Sequence, residues 1–152
     1  YSDLVVMCGV SGSGKSTWIK KNLPDHRLIS MDLLRQEVTG KIGDQSENAQ
    51  VLRMAVEELK DGLRKKEKIV WDATNYRRDY RQKVLDLGFN YQAYMTLVVF
   101  HIPEDEIIAR NAQRERVVPE KAIWLQLQGL EWPFEDEAHR VIYIGKDGSI
   151  LT

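Results

Sequence analysis

With 152 residues, 43% hydrophobic and 30% charged, the chain has the size and composition of one soluble globular domain with a single sizeable core. Its formal net charge of −1 excludes the strongly basic balance of a general nucleic-acid binder, so a polynucleotide must be held by a local basic groove, and composition alone leans toward a small-molecule substrate. No apolar run approaches the ~20 residues of a membrane span, no signal peptide opens the chain, and the one cysteine, Cys8, can form no internal disulfide, which together fit a cytoplasmic protein with no membrane partner.

The first predicted element is a buried parallel strand over 4–8, a continuous apolar run. It leads into G-V-S-G-S-G-K-S-T at 9–17, which fits G-x-x-x-x-G-K-[ST] at every fixed position, the pattern of a phosphate-binding loop. Gly9, Gly12 and Gly14 permit turns barred to other residues, so successive N–H groups from Ser11 to Thr17 can converge on phosphate oxygens. Lys15 then neutralises β/γ-phosphate charge and the Ser16 hydroxyl can ligate Mg²⁺, with Ser13 and Thr17 completing the nucleotide-binding set. A short helix over 16–23 stops at Pro24, and its dipole favours a bound anion.

A second strand is predicted over 27–31, ending at Asp32, then a helical turn or two to Val38 and a mobile or substrate-facing loop over 39–45. The longest helix is expected over 46–67, N-capped by Ser46 with Glu47 in its first turn and an apolar face of Val51, Ala55, Leu59 and Leu63 with Leu52 and Val56 beside them. The basic run 64–68 reads as a solvated last turn complementing the helix dipole rather than a nucleic-acid patch. A third strand over 68–71 ends at Asp72, a helix over 76–87 stops at Gly88, and 94–100 is a central strand. Pro103 opens a helix, a further helix covers 119–130, the last strand covers 140–144, and 146–148 is a turn. Strands alternating with helices imply one α/β domain, 1–152, with a parallel sheet covered by helices on both sides. A chain numbered from Tyr1 fits a domain excised from a longer polypeptide.

Ligands of such sheets bind beyond the C-terminal strand ends. Two aspartates stand there and compete for two tasks, activating the attacking hydroxyl and helping to hold Mg²⁺. Asp72, ending an apolar strand, suits the metal side. Asp32, three residues before Arg35, suits a base or hydroxyl-orienting carboxylate kept ionised by its neighbour, although it could simply cap the following turn. Arg110 and Arg114 are four apart, hence on one helix face, and two cations there can stabilise charge moving to the leaving oxygen, unless Glu106 and Glu115 merely pair with them on a solvated face. Arg77, Arg78 and Arg81, interleaved with Tyr76 and Tyr80, suit a nucleic-acid strand, though Tyr80 fits a core face with Val84 and Leu87 equally well. Trp124, Trp132 and Phe134 read as core, and His26, His101 and His139 are too dispersed to bind a metal. There is no guanine-recognition [NT]-K-x-D, and the 145–149 turn lacks the first aspartate of a D-x-D-G-T phosphatase signature.

The combined pattern resembles the polynucleotide 5′-kinases of phage and bacteria, among the P-loop phosphotransferases. The residues that carry it are G-V-S-G-S-G-K-S-T-W at 9–18, S-M-D-x-x-R at 30–35, D-A-T-N at 72–75, R-N-A-Q-R at 110–114, V-P at 118–119 and P-F-E-D-E at 133–137. The resemblance implies a P-loop kinase-like three-layer fold with a helical lid, and ATP-dependent phosphorylation of 5′-hydroxyl ends of RNA or DNA with Mg²⁺ held by Ser16. It makes Asp32 the carboxylate for the 5′-hydroxyl and Arg35 the partner of the acceptor's adjacent phosphate. Arg114, assisted by Arg110, contacts ATP phosphates from the lid. Asp72 and Thr74 or Asn75 line the acceptor side, with Ala73 an extra residue beside the D-T-N of some phage members, and Arg78 of the basic group beside Asp72 joins the expected substrate-binding residues. Fusion to a phosphatase, phosphohydrolase or ligase domain is also implied. Two other readings stand beside it: a small-molecule P-loop kinase acting on a sugar, nucleoside or sugar-nucleotide, and a nucleotide-responsive binding domain without turnover.

Overall fold

The computed structural model describes residues 1–40, 48–114 and 117–151. Five strands form one parallel sheet: β1 (Asp3–Cys8), β2 (Arg27–Ser30), β3 (Lys68–Asp72), β4 (Tyr94–Phe100) and β5 (Arg140–Ile144), in the order β2-β3-β1-β4-β5. The helices are α1 (Lys15–Asn22), α2 (Met31–Thr39), α3 (Asn48–Arg64), α4 (Arg78–Asn90), α5 (Glu104–Ala112) and α6 (Glu120–Gly129).

Successive residues of a strand face opposite sides of its sheet, and β1 divides accordingly. Leu4, Val6 and Cys8 pack with Val51, Ala55, Leu59 and Leu63 of α3 and with Val84 and Leu85 of α4. Val5 and Met7 pack with Ile19 of α1, Ile107 of α5 and Ile123 of α6. The result is the expected P-loop kinase-like three-layer α/β fold. Both faces of β1 are dry, which is why its sequence is a continuous apolar run instead of an alternating one.

Several boundaries differ from expectation, each for a local reason. β2 ends at Ser30, whose hydroxyl accepts from Leu33 N at 3.3 Å and caps α2, so Met31 and Asp32 lie in the helix's first turn. The expected cap Ser46, Glu47 beside it and most of the 39–45 loop lie outside the described residues; Thr39 itself ends α2 and Gly40 (φ 78) is its C-cap. α3 stops at Arg64, where Lys66 adopts φ 57 and Glu67 N donates to Gly62 O at 3.0 Å. α4 runs past Gly88 to Asn90 and closes the same way, with Gln92 at φ 61 and Ala93 N donating to Gly88 O at 2.8 Å. Gly88 is not a stop signal but a packing glycine: a Cβ there would lie 2.6 Å from Met95 Sδ and 2.9 Å from Leu4 Cδ2. Pro103 and Pro119 stand one residue before α5 and α6. Among the described residues no helix is long and apolar enough to cross a membrane.

Candidate active site

The phosphate loop leaves the central strand and is fastened at its entry, where Gly9 N donates to Thr74 O at 2.8 Å beyond the end of β3. Gly12 (φ 87) and Gly14 (φ 98) hold the left-handed turns, and Gly14 is the residue from which α1 starts. Lys15 Nζ folds back over the loop, donating to Gly9 O at 2.8 Å and Val10 O at 3.1 Å. Burial lowers the pKa of this ammonium, while the charges of Asp72 and Asp32 raise it. Ser16 and Thr17 are exposed on the first turn of α1.

Register explains why both aspartates lie near enough to Lys15 to act on its charge. Ser30 pairs with Asp72 across β2 and β3, and β3 pairs with β1, so Asp32, Asp72 and Lys15 emerge from three neighbouring strand ends. Burial pushes the Asp72 carboxyl upward, Lys15 opposes this, and Asp32 adds to it. Asp32 accepts from Arg35 Nη1 at 2.8 Å, and Arg35 Nε donates to Asn48 Oδ1 at 3.2 Å. The cap of α2 belongs to Ser30, so capping does not account for an aspartate at 32.

Arg110 reaches the loop from α5, whereas Arg114 reaches it from the turn just beyond the end of α5 at Ala112, so the two arginines do not share a helix face as their spacing implied. Arg110 Nη1 donates to Ser13 O at 3.2 Å, its Nη2 donates to Lys146 O, and its Nε pairs with Glu106 at 3.0 Å. A Cβ on Gly12 would stand 3.9 Å from Arg114 Nη1, and one on Gly14 3.4 Å from Arg110 Nη1. The arginines therefore face the glycine side of the loop, and Glu106 holds Arg110 in place instead of removing it. Glu115 and Arg116 lie outside the described residues. Val118 is tied to α5 by the buried Asn111, whose Nδ2 donates to Val118 O at 2.7 Å and whose Oδ1 accepts from Val118 N at 3.0 Å.

The other residues expected on the acceptor side have structural partners. Thr74 supplies the carbonyl that anchors Gly9. Asn75 is buried at φ 48, and its Nδ2 donates to Met7 O at 2.9 Å. Arg78 pairs with Glu131 at 3.2 Å, donates to Trp132 O at 2.8 Å and stacks on Phe134 with its guanidinium 4.1 Å from the ring centroid. Arg77 pairs with Asp79 at 3.0 Å and lies over Tyr80. Arg81 is wholly buried, bonded to Glu137, Asn75 O and Glu131 O. The three arginines thus form no open basic face, and Arg81 rather than Tyr80 takes the core position of α4, Tyr80 being exposed. Trp124, Trp132 and Phe134 are also exposed, correcting their reading as core.

Sequence reasoning passed over four residues: Ser30, Asn111, Glu137 and Gln126. The first three sit inside quoted motifs. Gln126 carries no sequence signal, yet its Oε1 accepts from Ser11 N at 2.8 Å and its Nε2 donates to Ser11 Oγ at 3.3 Å. Beside the loop, a cleft of about 640 Å³ between the ends of β4 and β5 and α6 is lined by Val10, Ile102, Ile107, Leu127, Trp132 and Lys146.

Among the described residues no three metal-binding carboxylate, imidazole or thiol groups gather. The hard oxygen donors at hand, Ser16 and the two carboxylates, fit a Mg²⁺ ion completed by phosphate oxygens better than an all-protein cage.

The profile of a protein family described as AAA domain matches residues 4–133. No curated protein matches the sequence. Among solved structures, a gluconokinase from Sinorhizobium meliloti 1021 superposes with a TM-score of 0.68 at 22% identity, covering 95% of this chain and 83% of that one. A sugar kinase from Janibacter sp. HTCC2649 gives 0.71 at 21%, covering 98% and 88%. A chain of a Pnkp1/Rnl/Hen1 RNA repair complex gives 0.76 at 22%, covering 86% of this chain and 44% of that one. At these identities the likeness is one of fold.

Proposed function

For this chain, which belongs to the AAA domain family and has a P-loop kinase-like fold, we propose ATP-dependent transfer of the γ-phosphate to 5′-hydroxyl ends of RNA or DNA. The observation that carries the proposal is the Asp32–Arg35 pair at 2.8 Å, set where Asp32 acts electrostatically on Lys15. A kinase needs a carboxylate at the acceptor side of the transferred group, and a cation beside that carboxylate suits an acceptor that carries its own phosphate next to the hydroxyl.

In this reading the chain's groups divide the work. Backbone N–H groups of the loop and Lys15 receive the triphosphate, and nucleotide binding draws Nζ from Gly9 O and Val10 O to phosphate oxygens. Asp32 orients the acceptor hydroxyl and takes its proton, and Arg35 turns from Asp32 toward the acceptor's phosphate. Arg110 and Arg114 meet charge spreading onto the transferred oxygens. Ser16, with Asp72 nearby, would hold Mg²⁺, which would supply positive charge to the phosphate oxygens. Asp72, Thr74 and Asn75 shape the acceptor side of the loop, while Arg78 supports it through Glu131 and Trp132. The fold neighbour in an RNA repair complex, of which this chain spans 44%, lends support and suits a single domain, 1–152, within a larger end-healing protein that also carries a phosphatase, phosphohydrolase or ligase domain.

A small-molecule kinase is the second reading, favoured by the gluconokinase and sugar-kinase neighbours and by the carboxylate pairing of Arg77, Arg78 and Arg81. The two part in one assay: Mg²⁺, labelled ATP and 5′-OH RNA and DNA oligonucleotides are set beside gluconate and free nucleosides. The proposal predicts label on an oligonucleotide, affinity that falls steeply with salt as a polyanion releases counterions, and loss in Arg35→Ala of the preference for oligonucleotide over nucleoside. Label on gluconate or a nucleoside alone favours the second reading. Binding of ATP with transfer to no hydroxyl favours a nucleotide-responsive domain.

A further inference from the structure

The contact between Gln126 and Ser11 joins residues 115 apart in sequence and engages both polar groups that Ser11 turns to it. Its place in the loop gives it meaning. Lys15 Nζ lies against the carbonyls of Gly9 and Val10, and the ammonium of such a loop serves the β- and γ-phosphates. Ser11 is the next residue along that limb. Asp32 and Asp72 act electrostatically on the same ammonium from the ends of β2 and β3, and Arg114 and Arg110 stand beside Gly12 and Gly14. The Ser11 corner therefore flanks the place of the terminal phosphate. We infer that Gln126 is a positioning residue for the transferred phosphoryl group: Oε1 anchors the Ser11 N–H, and Nε2 offers the terminal phosphate a neutral hydrogen-bond donor.

A primary amide has two N–H donors and an acceptor oxygen. Ser11 takes the oxygen at 2.8 Å and one donor at 3.3 Å, which fixes the plane of the carboxamide and leaves the second donor as the group offered to phosphate. Gln126 also belongs to a closed circuit. α6, which carries it, begins just after Val118, Val118 is held by Asn111, Asn111 neighbours Arg110 on α5, and Arg110 returns to the loop at Ser13 O. The glutamine and the arginines are thus placed on the loop by one connected framework, and phosphate at the Ser11 corner is sensed by both.

The inference rests on the proposed function only in requiring that the loop bind a nucleoside triphosphate, so its test uses ATP and ADP binding, which no acceptor enters. Affinities of both nucleotides with Mg²⁺ are measured by calorimetry for the unsubstituted chain, Gln126→Glu and Gln126→Ala. Glu keeps the length and the oxygen that accepts from Ser11 but replaces the donor by an anionic oxygen. Gln126→Glu should weaken ATP roughly tenfold or more while ADP stays within about twofold, because like charges meet only at the terminal phosphate. Gln126→Ala should keep both affinities within about threefold, because it removes a neutral donor without adding charge. If Gln126 only fastens α6 to the loop, both variants lower the melting temperature and shift ATP and ADP alike. An unchanged ATP-to-ADP ratio in Gln126→Glu overturns the inference, as does failure of the unsubstituted chain to bind ATP. If the ratio shifts while no oligonucleotide is phosphorylated, the inference stands and the proposed acceptor falls.

Discussion

Lys15 and Asp72 oppose each other's burial. The carboxyl is pushed above its ordinary 3.8 by desolvation, and the ammonium eases that without cancelling it. A carboxyl raised in the fold means that the protonated form is favoured there, so the associated stability is present below the unfolded value and lost as pH rises through the folded one. Asp72→Asn should therefore raise the melting temperature of the nucleotide-free chain at pH 7, and the gain should shrink as pH falls toward the ordinary carboxylate range. A lower melting temperature at pH 7, read by thermal denaturation across pH, contradicts this. Residue type and spacing picked out Lys15, Asp32, Arg35, Arg110 and Arg114, and the fold sets Lys15 and the two lid arginines at the loop and pairs Asp32 with Arg35. Gln126 was not legible, because an amide's worth depends on what it faces. Arg81 was misread for the same reason. An arginine beside tyrosines reads as surface until its carboxylate partner, 56 residues on, is known.

Among elements, α4 and the segment after α6 are bound together more firmly than either sequence implies. Arg81 of α4 has no exposed side-chain surface and Glu137 only 6%, and their two contacts, at 3.0 and 3.3 Å, leave the pair bidentate. Glu137 also accepts from Phe134 N at 2.6 Å, so the P-F-E-D-E stretch is a clamp rather than a contact surface. Removing one partner of a buried pair leaves the other's charge uncompensated. Glu137→Ala should cost about 3–5 kcal/mol of stability in chemical denaturation. A loss below about 1 kcal/mol, the scale of an exposed pair, contradicts the clamp. Element type and order were read correctly from hydrophobic period, whereas helix ends were not. Lys66 and Gln92 occupy left-handed C′ positions where glycine is the expected signal, and Gly88, the apparent signal, is spent on packing against Met95.

For the whole molecule, the order β2-β3-β1-β4-β5 assembles the site. With β1 central, the ends of β2 and β3 place Asp32 and Asp72 on one side of the phosphate loop, while the helix after β4 carries Arg110, and the turn at its end Arg114, to the other. The motifs alone could not show this, since strand order is settled by which apolar faces meet across the sheet, a non-local matter that neither periodicity nor spacing encodes. The site is consequently two-sided, with a donor half built on Gly9 to Thr17 and a proposed acceptor half built on Asp32 and Arg35. Its most direct test is single-turnover transfer of labelled γ-phosphate to a 5′-OH RNA oligonucleotide by the unsubstituted chain and by Asp32→Ala, with ATP affinity measured on the same preparations. Loss of transfer by roughly 10²-fold or more, with ATP affinity within about threefold, is the predicted result. Transfer by Asp32→Ala at the unsubstituted rate would contradict it.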